Sequence, residues 1–313
     1  MNEFTLLQTL REDVAEPTPE RLAPAYEKLS RAMHDAPRHR RRMPRARWVL
    51  AGIAGATALT LVSGNAAMAI GSAHAASVLQ AIAGETVKFS DPVPGPGEYL
   101  LAHTRANWMT TELTEGGDVA HSMNVQVIDI YKPSDPNADW VLYRDRGNQP
   151  GSTSQDSEET IRAKDGAFYG GPWLTTDLAG IPLGSGTEVL AYFDGQYIGG
   201  SASRDEDNFV RIIDVLRWGL VPADVRAALF EALALIPGVT STDNVANFDG
   251  ETGIAIGRTE ALRGGLRQEI IIDPETGMVI GERQITTFAV FGFGFNQEIG
   301  LTTVETSVAR SAP

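Results

Sequence analysis

Residues 48–84 carry no Asp, Glu, Lys or Arg. An uncharged run of that length limits the chain to few fates, because it must be buried in protein or placed in lipid. Six arginines stand just before it, at Arg38, Arg40, Arg41, Arg42, Arg45 and Arg47. Charge divides at the same place. Residues 1–47 hold ten Lys/Arg and seven Asp/Glu, whereas residues 48–313 hold 16 and 33, a net of −17. A sign change across an apolar run marks a chain that crosses a membrane with its arginine-flanked end in the cytoplasm. A helix begun at Trp48 reaches roughly 30 Å in about 20 residues, enough for a hydrocarbon core.

The expectation is a transmembrane helix over 48–70. Arg40, Arg41, Arg42, Arg45 and Arg47 set its topology, and Trp48 is its interfacial anchor. The protein is then single-pass in the cell membrane, with a cytoplasmic N-terminus and an extracytoplasmic C-terminal domain. A cleaved leader is the rival reading, since Ala67-Met68-Ala69 and Ala73-His74-Ala75 both have the form of a cleavage site. A 47-residue basic region with patterned content of its own weighs against it. Residues beyond about 70 face outward in either case. Ala51 and Gly55, and Ala54 and Ala58, have the small-residue spacing that lets two helices approach. That spacing also arises by chance in an Ala/Gly-rich segment.

Residues 1–47 read as a short cytoplasmic helical arm with a basic tail. Phe4, Leu7 and Leu10 share one helical face, and Leu22, Tyr26, Leu29 and Met33 form a second stripe after the Pro17-Thr18-Pro19 break. Two short helices cannot bury a core alone. Leu7, Leu10, Leu22, Tyr26 and Leu29 are therefore a docking face for a cytoplasmic partner, or the arm only sets topology and touches anionic lipid.

The rest reads as α+β. An exit helix and linker occupy 71–96, ending in the Pro/Gly-rich 91–97. The outer domain spans 97–308, and a tail follows at 309–313. Strands are expected at 97–108, 122–132 and 139–146, then a polar surface loop at 147–166. Helices follow at 188–196, 206–220 and 222–239, the last opened by Pro222 and closed by Pro237-Gly238. Strands return at 239–248, 253–260, 267–273, 277–291 and 299–306, with a turn over Asp273–Gly277. Strands, helices, then strands with short links predict a curved antiparallel sheet with two or three packed helices.

Little catalytic chemistry is legible. The absence of cysteine removes disulfides, thiolate metal sites and a cysteine nucleophile. No HExxH, GxSxG or phosphate-loop motif occurs, so no catalytic residue, metal or cofactor is assigned. The overall charge of −14 argues against nucleic acid as a partner. His103 reads as a solvated strand-face residue. Asp205, Glu206 and Asp207 read as the charged start of a helix. Phe291, Phe293 and Phe295 alternate with Gly292 and Gly294, so one strand face would be all phenylalanine. It covers the core, lines an apolar groove for an acyl chain or hydrophobic peptide, or forms an exposed loop at the membrane surface.

The order of these features, with PGPGEYLLAHTR at 94–105, VPADVRAALFEALALIPGV at 221–239 and EIIIDPETGMVIGER at 269–283, resembles an actinobacterial single-pass membrane family. That family has no known function and is often encoded beside extracytoplasmic-function sigma factors. The resemblance implies an outer sensory or binding domain and a cytoplasmic contact to a sigma factor or other regulator. It implies no catalytic residue. A looser resemblance to lipoprotein-carrier-type domains implies a carrier with a hydrophobic ligand held outside. Membrane lipid is an expected partner on both readings.

Overall fold

The computed structural model describes residues 64–113, 119–147, 157–170, 178–260, 265–290 and 292–313. Nine strands form one sheet: β1 Tyr99–Leu113, β2 Val119–Pro133, β3 Trp140–Asp145, β4 Glu158–Ala163, β5 Val239–Ala246, β6 Thr252–Glu260, β7 Leu266–Ile272, β8 Val279–Thr286 and β9 Glu298–Ala309. Four α-helices accompany it: α1 Gly64–Thr86, α2 Gly186–Asp194, α3 Arg204–Leu216 and α4 Ala223–Leu233. The strand order is β4-β3-β2-β1-β9-β8-β7-β6-β5, and every neighbouring pair is antiparallel. Two meanders, β1–β4 and β5–β9, thus meet where the first strand pairs with the last, from Tyr99↔Ala309 to Trp108↔Gly300.

This architecture corrects the expected one. The chain is sheet-rich, with four α-helices among the described residues rather than two or three on an outer domain behind an arm and a span. No helix among the described residues is long and apolar enough to cross a membrane. The arm at 1–47, and the expected span up to residue 63, lie outside the described residues. From Gly64 on, α1 runs without a break through residue 70, the expected end of the span, to Thr86.

The physical reason lies in its pattern. Ala75, Leu79, Ile82 and Ala83 are buried in the main core, while His74, Ser77, Gln80 and Glu85 are exposed. That is a 3.6-residue apolar stripe of a helix packed on protein. Two smaller corrections follow. β4 lies inside the stretch expected to be loop, and the strand expected at 277–291 ends at Thr286.

The helices cover one face of the sheet. Ile254, Ile256, Ile270, Ile272 and Val279 meet α1, α3 and α4 there, around Phe209, Ile212, Leu229, Phe230 and Leu233. A second cluster on β1–β3 gathers Ala102, Ile128, Ile130 and Leu142 under Phe168 and Leu220. Val245, Ala255, Ile271 and Ile280 form a small cluster of their own.

Arg226 of α4 ties the linker to this assembly. Its side chain is 2% exposed, yet all three guanidinium nitrogens donate. Nη1 reaches Asp91 Oδ1 at 2.8 Å and Val221 O at 2.7 Å, Nε reaches Gly277 O at 3.1 Å, and Nη2 reaches Thr276 O at 3.4 Å. Asp91 Oδ2 also accepts from the Ala223 backbone N–H at 2.7 Å, at the first residue of α4. The Pro/Gly-rich linker is therefore clamped to a helix start and to the β7–β8 turn. Removing one partner of a buried charge pair costs about 3–5 kcal/mol. Arg226→Met should lose about that much in denaturant unfolding. Asp91→Asn, whose amide oxygen still accepts from Ala223, should lose less.

Candidate functional site

The helix-facing side of the sheet carries a polar band where an apolar floor would be ordinary. Cross-strand pairing sets it out in rows. Gln268, Gln284, Gly300, Trp108 and Asn124 are paired neighbours on β7, β8, β9, β1 and β2. The next row holds Ile270 opposite Glu282, and Thr302 opposite Ala106, which faces Gln126. The Glu282 backbone N–H donates to Thr302 Oγ1 at 2.8 Å, joining the halves of that row. Asn124, Gln126, Glu282 and Thr302 are all buried. A side chain on Gly300 would collide with the Trp108 ring, so the indole lies directly on that glycine.

Most of the buried band is satisfied. Asn124 Nδ2 donates to Arg146 O at 2.7 Å, and Gln126 Oε1 accepts from Arg144 Nη2 at 3.0 Å. Glu282 is the exception. Its side chain is 3% exposed, and neither carboxylate oxygen has a hydrogen-bond partner among the described residues. Arg217, just past α3, places Nε 3.2 Å from Oε2, within ion-pair range but not aimed for a hydrogen bond. Arg217 instead spends Nη2 on Asp214 at 2.7 Å. Burial raises the Glu282 pKa above the ordinary carboxylate value; Arg217 opposes the rise and Asp214 adds to it. Asp214 is also raised by burial, against Arg217 and Arg211. Two carboxyls thus share one guanidinium at the C-terminal end of α3.

Gln284, two residues along β8 from Glu282, opens into a cavity of about 180 Å³ between α3 and strands β6–β8. Glu206, Phe209 and Val210 form its helix wall, and Arg258, Glu260, Leu266, Gln268 and Gln284 its floor. The local fold positions these groups through caps. Ser203 accepts from the Glu206 backbone N–H and starts α3, and Glu206 Oε2 accepts from Ala202 N at 2.6 Å. Arg258 donates to Glu260 Oε2 at 2.6 Å. Asp205, Glu206 and Asp207 do occupy the first turn of α3, so the acidic triplet has the helix-start role expected of it. The cavity mixes amides, carboxylates and two guanidiniums, those of Arg258 and Arg267, with three apolar side chains. Such a lining suits a ligand rich in hydrogen-bonding groups better than a bare acyl chain.

None of the residues expected from sequence to form a site enters this groove; Glu206, expected there only as part of a helix start, lines its helix wall. Arg40, Arg41, Arg42, Arg45, Arg47, Trp48, Leu7, Leu10, Leu22, Tyr26, Leu29 and Phe291 lie outside the described residues. Phe293 and Phe295 lie in the loop between β8 and β9 rather than on a strand face. Phe293 is half-buried and Phe295 is 75% exposed.

His103 and His121 are far apart. His103 pairs with Asp129 on β2, eight residues from His121, or roughly 26 Å of strand. No cluster of metal-ligating side chains occurs among the described residues. Glu282, Gln284 and Trp108 escaped sequence reasoning, although Glu282, Gln284 and Thr286 alternate along one strand. That spacing places all three polar groups on one face.

Comparison of the chain with family models, characterised proteins and solved structures gives no match.

His103 has a role more specific than solvation. Its Nδ1 lies 2.5 Å from Asp129 Oδ1. That hydrogen bond raises its pKa above 6.5; burial and Arg105 oppose the rise, and the charges of Asp129 and Glu305 add to it. A raised folded value makes the bond stabilising at pH below the unfolded histidine value, and the contribution is lost as pH rises through the folded value. Asp129→Asn should therefore lower Tm at about pH 5.5 and have little effect through this pair at about pH 9. An NMR titration of His103 should move back toward 6.5 in the variant.

Proposed function

We propose that the sheet domain is an extracytoplasmic binding domain that takes a polar or amphiphilic ligand between α3 and the polar band. The carboxyl of Glu282, buried beside Arg217 without a hydrogen bond among the described residues, carries this reading. An acceptor buried without a partner costs about 1–3 kcal/mol. A fold with no use for it would be served better by an apolar residue opposite Ile270. A ligand donor that reaches Glu282 when α3 shifts recovers that energy, so the carboxyl favours the occupied state. The outer location rests on the arginine cluster at 38–47 and the uncharged residues after it. The family resemblance supports the remaining half of the proposal: residues 1–47 contact a cytoplasmic regulator, with a sigma factor as the first candidate. A pull-down with residues 1–47 that recovers no regulator would count against that half alone.

The carrier reading has the strand–helix–strand order in its favour. It is less well supported by the groove, whose half-buried floor sets amides, a carboxylate and two guanidiniums beside Leu266.

Two measurements test the binding site. Native mass spectrometry after incubation with cell-envelope extract should show a small-molecule adduct on the wild-type chain. Gln284→Trp, which fills the cavity, should lack it. A wild-type chain that stays at its bare mass would sink the proposal. The second measurement separates function from stability. Replacing a buried ionic group by a packed apolar side chain is often neutral or gains about 1–4 kcal/mol. Glu282→Leu should therefore unfold at equal or higher denaturant concentration at neutral pH while losing the adduct. The gain should shrink toward acid pH. A carboxyl whose folded pKa is raised costs least when protonated, and its cost grows as pH rises from the unfolded value to the folded one.

A further inference from the structure

We propose that the end of the sheet bearing the β8–β9 loop docks on a lipid surface, with Phe288 and Phe295 at the headgroup boundary. Three observations meet at that end. The first is the absence of charge from Gln284 to Gln297. The second is exposure. Phe288 is 45% and Phe295 75% exposed, and the other phenylalanines among the described residues are buried or half-buried. The β6–β7 connection supports the loop, with Thr287 N donating to Gly265 O at 3.2 Å and the Phe288 ring against Gly265. Two exposed phenylalanines in one charge-free loop mark an interaction surface rather than scattered surface hydrophobicity.

The third observation says what covers it. Gly71 of α1 packs against Thr240, at the start of β5. Thr86 packs against Gly277, in the β7–β8 turn at the opposite end of the sheet. Helix α1 therefore begins at the end where Phe288 and Phe295 are exposed. The uncharged residues 48–63 join the domain there. Phenylalanine partitions into the bilayer interface. A domain whose sequence carries a net of −17 is repelled by anionic headgroups wherever its acids face them. The loop without acids is where a lipid surface can come closest. The inference rests on the proposed membrane location only in needing a bilayer at hand.

The chain has no cysteine, so single cysteines can carry an environment-sensitive fluorophore. The full chain is reconstituted in phosphatidylethanolamine/phosphatidylglycerol vesicles with some lipids spin-labelled near the headgroup. The label is placed in turn at Phe295→Cys, at Asn137→Cys in the β2–β3 turn of the opposite end, and at Gly55→Cys in the uncharged run. Spin-labelled lipid should roughly halve the emission at 295 and leave that at 137 unchanged. Aqueous iodide should do the reverse. Phe288→Ser should weaken the lipid quenching at 295. Lipid quenching at 55 with only iodide quenching at 295 overturns this inference and leaves the membrane location standing. No lipid quenching at any of the three overturns both. A label at 295 shielded from both quenchers assigns the loop to a protein contact and also overturns it.

Discussion

The pairing of β1 with β9 is the constraint on which the remaining structure depends. Every other strand pair joins neighbours in sequence, so each meander can form locally. The seam instead brings Tyr99–Trp108 against Gly300–Ala309 across some 200 residues, and its loop-closure entropy is repaid only when both meanders are in place. The helices inserted between the meanders are seated by the seam. Gly219, in the turn between α3 and α4, has φ +65° and lies so close to Thr306 that a side chain would collide with it. Its carbonyl accepts from Thr306 Oγ1 at 2.9 Å. The polar band crosses the same seam, with Glu282 and Gln284 on the β8 side and Ala106 and Trp108 on the β1 side. A seam shifted by one residue would turn this band to the opposite face.

Two buried charges in this fold are treated in opposite ways. The guanidinium of Arg226 meets one carboxylate and three carbonyls, and its location explains every bond: it closes the junction of linker, α4 and the β7–β8 turn. Such a group is structural, because each donor has a partner in the folded chain itself. Glu282 has one guanidinium nearby, shared with Asp214, and no aligned donor. The cost of burying a charge is similar in kind at both positions, but only one of them is compensated internally. That asymmetry is why the proposed ligand is placed at Glu282 rather than at Arg226.

The sequence is a good guide where local chemistry decides, and a poor one where partners are distant. The start of α4 at Pro222, the acidic first turn of α3 and the Asp273–Gly277 turn are legible because these residues act within a few positions of themselves. The alternation in β2 is legible too, with Asn124, Gln126, Ile128 and Ile130 on one face. What it cannot say is that this set, with its two amides, turns toward the helices while Val125 stays 47% exposed. The register with β1 and β3 decides that. Residues 71–86 are legible as a helix leaving the expected span, but not as part of the core: that Ala75, Leu79, Ile82 and Ala83 pack on protein depends on distant partners. The Phe288–Phe295 segment misled through its period of two, which Gly292 breaks with φ +80°.

The two ends of the domain are built differently, which limits how binding could be relayed. At one end Arg226, Asp91, Thr86 and Gly277 lock the linker, α4 and the close of α1 to the sheet. At the other lie the cavity beside Glu206 and Gln284, the exposed phenylalanines and the start of α1. Helix α1 packs on α4 and β5, and α3 is not among the elements it chiefly touches. A shift of α3 over Glu282 can therefore reach α1 by two routes. One runs through α4, which α3 also contacts, and the other through β6 into β5. Both routes pass through fully buried side chains, including Ile212, Leu229 and Ile256. Close-packed interiors respond to such shifts by repacking between discrete arrangements rather than by gradual yielding. Along the first route, relay from the groove to the start of α1 requires α3 and α4 to move as a pair against the sheet. The clamp at Arg226 is then the natural pivot, because it is the one point where α4, the linker and the β7–β8 turn share a single side chain.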